Sequence, residues 1–306
     1  MRSRVAALLL LLVALPSCSG SSPAQRRPAS DAVVVASFDF PESVLVGEIY
    51  AQALEHAGVR VRRELGLGPR ELVLPALRAG LVDVVPEYLG TVLATVDPTA
   101  PPARDISLAR AQLQAALRGS RLQALEPAAA QNANGLAVTR ATAQRLGLRT
   151  TSDLRGSAAE LSIAGPAECP RRPYCLPGLA QTYGISFRSF VAYPSESQRI
   201  TALEQGLVDV AVVFTTDGVL AERSLVLLPD DRRLQPSEQL VPVVSDRALE
   251  VGGARVLTAL DAVSARLDSP GLTFLNWRVS VAGRDLRTEA RGWLQRHALV
   301  AHGAPA

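Results

Sequence analysis

A chain of 306 residues with 48% hydrophobic residues, 20% charged residues and a net charge of +3 is long and apolar enough for one large or two medium domains. All 32 basic residues are Arg, and they are scattered instead of clustered with aromatics, which argues against nucleic acid as a partner. Three Cys and three His leave little material for a metal site, and none is expected.

Arg2 and Arg4 precede an unbroken apolar run over residues 5–15, which Leu15-Pro16-Ser17-Cys18 closes. A charged start, a short apolar stretch and a small residue before a cut read as an export signal over residues 1–17. The run is shorter than the roughly 20 residues a spanning helix needs. Leu-x-Ser-Cys resembles a bacterial lipobox, which implies lipid on Cys18 and a protein anchored on the extracytoplasmic face of the cell membrane. Residues 18–31, rich in Ser, Pro, Ala and Arg, are expected to be a flexible tether.

Val33-Val34-Val35-Ala36 reads as a buried strand, ending in the polar and aromatic loop Ser37-Phe38-Asp39-Phe40-Pro41-Glu42. A helix follows, with Leu45, Ile49, Ala53, Leu54 and Ala57 on one face and Gly58 closing it. Val59-Arg60-Val61-Arg62 alternates as a second strand, and Gly66-Leu67-Gly68-Pro69 turns the chain into another helix. This order predicts a βαβαβ start with a parallel sheet. Helical spacing returns over residues 106–117, and Gly135-Leu136-Ala137-Val138-Thr139 is a short strand that carries the chain into a second lobe. That lobe is expected to hold a helix over residues 141–146, a turn at Thr151-Ser152-Asp153-Leu154, a strand at Leu161-Ser162-Ile163-Ala164 and a helix near Leu179. Leu240-Val241-Pro242-Val243-Val244 reads as a strand returning to the first lobe, and two amphipathic segments, residues 255–267 and 285–299, finish the chain.

One unit occurs twice. Ala76-Leu77-Arg78-Ala79-Gly80-Leu81-Val82-Asp83-Val84 recurs as Ala202-Leu203-Glu204-Gln205-Gly206-Leu207-Val208-Asp209-Val210. Five residues past each Asp stands an aromatic, Tyr88 in one copy and Phe214 in the other. Each copy reads as a helix end, a Gly cap, a buried strand and a polar loop. Ligands of open α/β sheets sit outside the carboxyl ends of the strands, so two such units predict two lobes facing a shared cleft.

No nucleophile elbow, zinc-protease helix, P-loop or dinucleotide fingerprint is present, and no His falls in a loop at a predicted strand end. Catalysis is therefore not expected, although Glu87 and Asp217 would suit acid–base work if they faced each other across the cleft. Cys169 and Cys175, close together in an exported chain, are expected to pair as a disulfide; a zinc site is the alternative, with only His56, His297 and His302 left to complete it. Binding fits the loops better. Tyr88 and Phe214 offer π faces for a cation, Thr91, Thr215 and Thr216 offer hydroxyls, and Arg171 and Arg172 suit a carboxylate.

At these residues the chain resembles the substrate-binding proteins of osmoprotectant (glycine betaine, choline, carnitine) ABC transporters. The resemblance rests on Gly47-Glu48-Ile49-Tyr50-Ala51-Gln52, Gly66-Leu67-Gly68, Asp83-Val84-Val85-Pro86-Glu87-Tyr88-Leu89-Gly90-Thr91 and Phe214-Thr215-Thr216-Asp217-Gly218, and it covers roughly residues 33–279. It implies an α/β, two-lobed type II periplasmic-binding-protein fold with a hinge and an interlobe ligand cleft. The expected boundaries are lobe 1 over residues 32–134, lobe 2 over 135–237 and a return to lobe 1 over 238–306, with hinges near Asn134 and Gln239.

The resemblance also implies a site: Ser37, Phe38 and Asp39 from the first loop, Tyr88 and Thr91, Asn134, Arg172, Ile200, and Phe214, Thr215, Thr216 and Asp217. Two positions that carry tyrosine in many relatives are Asn134 and Ile200 in this chain. A cation–π contact is worth about 0.5–2 kcal/mol, so losing two walls weakens a quaternary ammonium by roughly one to three powers of ten; Phe38 is a candidate replacement wall. The expected function is a solute-binding lipoprotein of an ABC importer, monomeric, without cofactor or nucleic acid, delivering an osmoprotectant-type solute to a permease and ATPase on separate chains. A receptor of the same fold for a polar, aromatic or sugar-like solute, and an envelope sensor or scaffold without transport, are the alternatives.

Overall fold

The computed structural model of the protein describes residues 31–221 and 223–301. The export signal, Cys18, the tether up to residue 30 and His302 lie outside the described residues.

Val33–Phe38 (β1) is buried along its whole length, the pattern of a strand covered on both faces. Pro41–His56 (α1) follows, with Pro in its first turn, where a missing N–H costs nothing. Then come Val61–Gly68 (β2), Arg70–Arg78 (α2), Val84–Tyr88 (β3), Leu89–Val96 (α3), Ile106–Ala116 (α4) and Leu122–Ala124 (β4). The second half holds Asn134–Thr139 (β5), Arg140–Leu146 (α5), Ser162–Gly165 (β6), the turn Leu176–Gly178 (α6), Ser189–Ala192 (β7), Glu196–Glu204 (α7), Val210–Phe214 (β8) and Leu225–Leu228 (β9). Leu240–Ser245 (β10) and four helices, Asp246–Gly252 (α8), Ala254–Ser264 (α9), Ser269–Ser280 (α10) and Leu286–Arg296 (α11), end the described chain.

The strands form two five-stranded sheets of matching design, ordered β2-β1-β3-β10-β4 and β7-β6-β8-β5-β9. In each, three strands are parallel and the fourth runs against them: β10 antiparallel to β3, and β5 antiparallel to β8. The expected parallel pairing holds for the opening strands β1, β2 and β3. The reversed strands are the two that change lobes, and a chain arriving from the other lobe has no crossover helix to turn it parallel. One core packs around the first sheet. In the second sheet, Leu136 and Val138 join one core while Ala137 joins another, because successive side chains of a strand point to opposite faces.

The repeated unit has one structural role in both lobes. The Asp83 backbone N–H donates to Val34 O (2.8 Å) while the Val34 N–H donates to the Asp83 carboxylate (2.9 Å). The Asp209 N–H donates to Ser162 O (3.2 Å) and the Ser162 N–H to the Asp209 carboxylate (2.9 Å). Each Asp thus ties the start of its strand to the start of the neighbouring one. Gly80 and Gly206 sit at φ +68° and +69°, the left-handed geometry that ends α2 and α7 and that a side chain strains.

Two stretches cross between the sheets side by side. Gln131 and Gln239 form an antiparallel bridge, the Asn132 N–H donates to Glu238 O (2.9 Å), and the Leu240 N–H donates to Ala130 O (2.9 Å). Helices α3, α8 and α10 and strands β4, β7 and β9 escape the sequence reading. For α10 the start signal is present: Asp268 accepts the Gly271 N–H (2.7 Å) and Pro270 follows in the first turn. Its buried side is narrow, Leu272, Leu275 and Asn276, with Phe274 exposed, so helical periodicity is weak. Cys169 and Cys175 are joined as a disulfide.

Candidate functional site

The carboxyl ends of β1, β3 and β8 point at one cavity of about 350 Å³ between the sheets. Phe40, just past β1, lies between the two aromatics of the repeated units. Its ring centroid is 5.0 Å from that of Phe214 and 6.0 Å from that of Tyr88, and all three line the cavity. Burial, reinforced by the Glu42 carboxylate, holds the Tyr88 hydroxyl protonated well above the usual phenol range.

Glu42 is the hub behind these rings. It accepts from Tyr88 Oη (2.7 Å), Asn132 Nδ2 (2.8 Å), Asn276 Nδ2 (2.6 Å) and the Thr216 hydroxyl. Those donors come from β3, the first crossing, α10 and the loop after β8, so one buried carboxylate joins both lobes and the crossing.

Of the residues expected at the site, Phe38, Asp39, Tyr88, Thr91, Asn134, Arg172 and Phe214 line the cavity. Phe38 lines the cavity but is 2% exposed, with the Arg70 guanidinium over its face at 4.8 Å. Phe40, whose ring lies 5.9 Å from that of Phe38, lines the same cavity and is less buried. Ser37 does not line the cavity. Its hydroxyl donates to Phe38 O (2.9 Å) and accepts the Gly66 N–H (2.9 Å), pinning β1 to β2. Ile200 lies in a lobe-2 core on α7. Thr215 accepts the Ala133 N–H (3.0 Å) and Thr216 serves Glu42, so both hydroxyls hold the loop.

Asp217 accepts the Val219 N–H (3.0 Å) and faces Glu196. Burial, with Asp217 beside it, pushes the Glu196 carboxyl well above the usual range. The pairing of Glu87 with Asp217 is therefore not formed. Glu87 is 1% exposed and locked on Arg70, with Nε at 3.0 Å and Nη2 at 2.9 Å from one oxygen. Arg172 holds no free site for a carboxylate either: it pairs with Glu71 at 3.1 and 2.9 Å. Arg171 is exposed.

Sequence reasoning missed Phe40, Arg70, Asn132, Glu196, Arg199 and Glu238, all of which line the cavity. Phe40 was legible, since the first loop carries two aromatics and only one was chosen. Glu196 follows Ser195, whose capping box with Gln198 marks a helix start at a strand end. Arg199 donates to Val212 O (2.8 Å), Tyr193 O (3.2 Å) and Pro194 O (3.3 Å), and burial pulls it below the usual guanidinium range. Glu238 accepts the Thr91 N–H (3.2 Å) and the Thr91 hydroxyl. No local pattern around it announces a site.

Two matching α/β lobes, a double crossing and an aromatic cavity between them define a two-lobed solute-binding protein. A family model described as the substrate binding domain of ABC-type glycine betaine transport systems matches residues 31–296, and the chain belongs to that family. A glycine-betaine-binding protein of Pseudomonas aeruginosa is 27% identical over 274 residues, 86% of this chain and 87% of the relative. The glycine betaine-binding protein YehZ of Escherichia coli is 28% identical over 284 residues, 88% and 91% of the two chains. A crystal structure of a glycine betaine/carnitine/choline ABC transporter protein superposes with a TM-score of 0.69 at 21% identity, covering 87% of this chain and 99% of the other, and shows the same fold. Members of this family bind substrate for ABC importers, which work with permease and ATPase components. Among the described residues no helix is long and apolar enough to cross a membrane, and no cluster of His, Cys, Asp or Glu could hold a metal ion.

Proposed function

We propose that the protein captures a quaternary-ammonium solute in this cavity and presents it to a membrane permease. The observation that carries the reading is the meeting of Phe40, Tyr88 and Phe214 on one cavity. Quaternary ammonium has no N–H to donate, so π faces in a desolvated pocket are the groups suited to hold it. Three rings come from both lobes, and a ligand between them stabilises the closed form by its differential affinity for it.

The remaining parts of the reading go with this one. Residues 32–134 and 238–306 act as one lobe and 135–237 as the other, with the paired crossings near Asn134 and Gln239 as the hinge. Cys18 carries lipid and holds the monomer on the outer face of the cell membrane, the permease and ATPase are separate chains, and no reaction is catalysed. A polar or sugar-like solute held by Asn134 and Arg172 is the weaker reading, because Arg172 is engaged with Glu71.

A thermal-shift screen of glycine betaine, choline, carnitine, ectoine, sugars and phenolics tests the reading. A quaternary amine is expected to raise the melting temperature. A shift with sugars or phenolics and none with any quaternary amine would refute it.

A further inference from the structure

Every guanidinium on the cavity is already engaged. Arg70 holds Glu87 (2.9 Å), Arg172 holds Glu71 (2.9 Å), and Arg199 donates to three backbone carbonyls. The carboxylates are not matched in the same way. Glu238, on the second crossing, is 2% exposed and lines the cavity, and it accepts only from the backbone and hydroxyl of Thr91. Among the described residues it has no ion-pair partner. Its neighbouring guanidinium, Arg70, is already paired with Glu87, so ionising this buried carboxylate stays costly, and a ligand that brings a positive charge lowers that cost.

We propose that Glu238 is the counter-charge for the bound solute, and that it makes the site select cations without a carboxylate, such as an alcohol of choline type, over zwitterions such as glycine betaine. The inference rests on the quaternary-ammonium reading and deepens it. A zwitterion must place its own carboxylate in a cavity that offers no free guanidinium and already holds Glu238 and Asp39. Like charges sharing one cavity repel, which is how a site rejects a near-relative of its ligand.

The same carboxyl links binding to protons. Burial lifts Glu238 to about 7; the Thr91 donors and Arg70 on α2 oppose this, and Glu87 on β3 adds to it. Tyr174, in the disulfide loop, faces it from the other lobe. A cation favours the ionised form, so it binds with release of a proton. Affinity for it falls as the pH drops below about 7, by at most tenfold per pH unit.

Calorimetry on the full chain with choline and with glycine betaine, at about pH 5.5 and about pH 8.5, tests this. At the higher pH choline is expected to bind at least about tenfold tighter than betaine, and to lose at least about tenfold in affinity at the lower pH. Glu238→Gln should remove both the preference and the pH dependence, and Glu238→Asp should retain them. The parent's own pH profile needs no variant, so a poorly folded Glu238→Gln does not protect the idea. Betaine binding as tightly as choline, or a flat choline profile, overturns this inference and leaves the quaternary-ammonium reading standing. No binding of any quaternary amine at either pH overturns both.

Discussion

The Arg172 guanidinium of the disulfide loop grips the Glu71 carboxylate of α2, with Nε at 3.1 Å and Nη2 at 2.9 Å from its two oxygens. It is a two-point ion pair between the segment after β6 and the helix after β2. The Arg172 side chain is 28% exposed and that of Glu71 51%, so solvent screens the pair. Its contribution is about 0.5–1 kcal/mol. Arg172→Ala should therefore weaken ligand binding by about two- to fivefold, through faster release, with the effect shrinking at high salt. Stopped-flow release rates at two ionic strengths check this, and Glu71→Ala should add little to Arg172→Ala.

Phe40 and Phe38 should part company on substitution. Phe40 sits between two other rings on the cavity, and Phe40→Ala should lower affinity for a quaternary amine by roughly tenfold or more. Phe38, 2% exposed, belongs to the core, and Phe38→Ala should cost about 3 kcal/mol of stability. Calorimetry beside denaturant melts separates the two; equal losses of affinity would refute the assignment of walls.

Glu42→Ala should be among the most damaging single changes outside the strands. It leaves Tyr88 Oη, Asn132, Asn276 and Thr216 without their acceptor in a site that is 4% exposed. Orphaned buried donors cost about 1–3 kcal/mol each before relaxation, so a loss of about 3 kcal/mol or more is expected in urea melts. A loss below about 1 kcal/mol would mean water replaces the carboxylate freely.

Glu238 also predicts a pH dependence of the ligand-free protein. Its folded value, about 7, lies above the ordinary carboxylate value of about 4.5, so between these the folded state holds more protons than the unfolded one. Stability then falls as pH rises through that window, by up to about 3 kcal/mol. Glu238→Gln should be more stable than the parent above pH 7, and the difference should vanish below about pH 4.5. Melting curves across that range decide it; a gap that widens toward acid would contradict the sign.

Reducing the Cys169–Cys175 bond should loosen the loop that presents Arg172. The cysteines are six residues apart, and closing so short a loop contributes about 2 kcal/mol. A reduced protein, or Cys169→Ser with Cys175→Ser, should melt earlier and release ligand faster.

The sequence by itself determined the architecture. The unit Ala-Leu-x-x-Gly-Leu-Val-Asp-Val needs only local physics to be read: a helix end, a left-handed Gly and a buried strand, written twice. Its Asp and its aromatic follow at constant offsets, so Tyr88 and Phe214 could be placed on facing lobes from spacing alone. Tertiary structure decided which neighbours fill the space between them. Phe38 and Phe40 stack on each other at 5.9 Å, yet Phe38 lies under Arg70 and only Phe40 reaches Phe214, a difference set by packing and not by residue type. Thr215, Thr216 and Ile200 are the right residue types in the right segment, and packing turns them to loop and core. Glu238 comes from a crossing with no local signal, and it reaches the cavity only because β10 pairs with β3, setting Leu240 opposite Tyr88. Periodicity reports which face of an element is apolar; it carries no information on which charged groups from distant segments are left without a partner. That balance, with Arg70, Arg172 and Arg199 engaged and Glu238 outside any ion pair, exists only once the chain is folded.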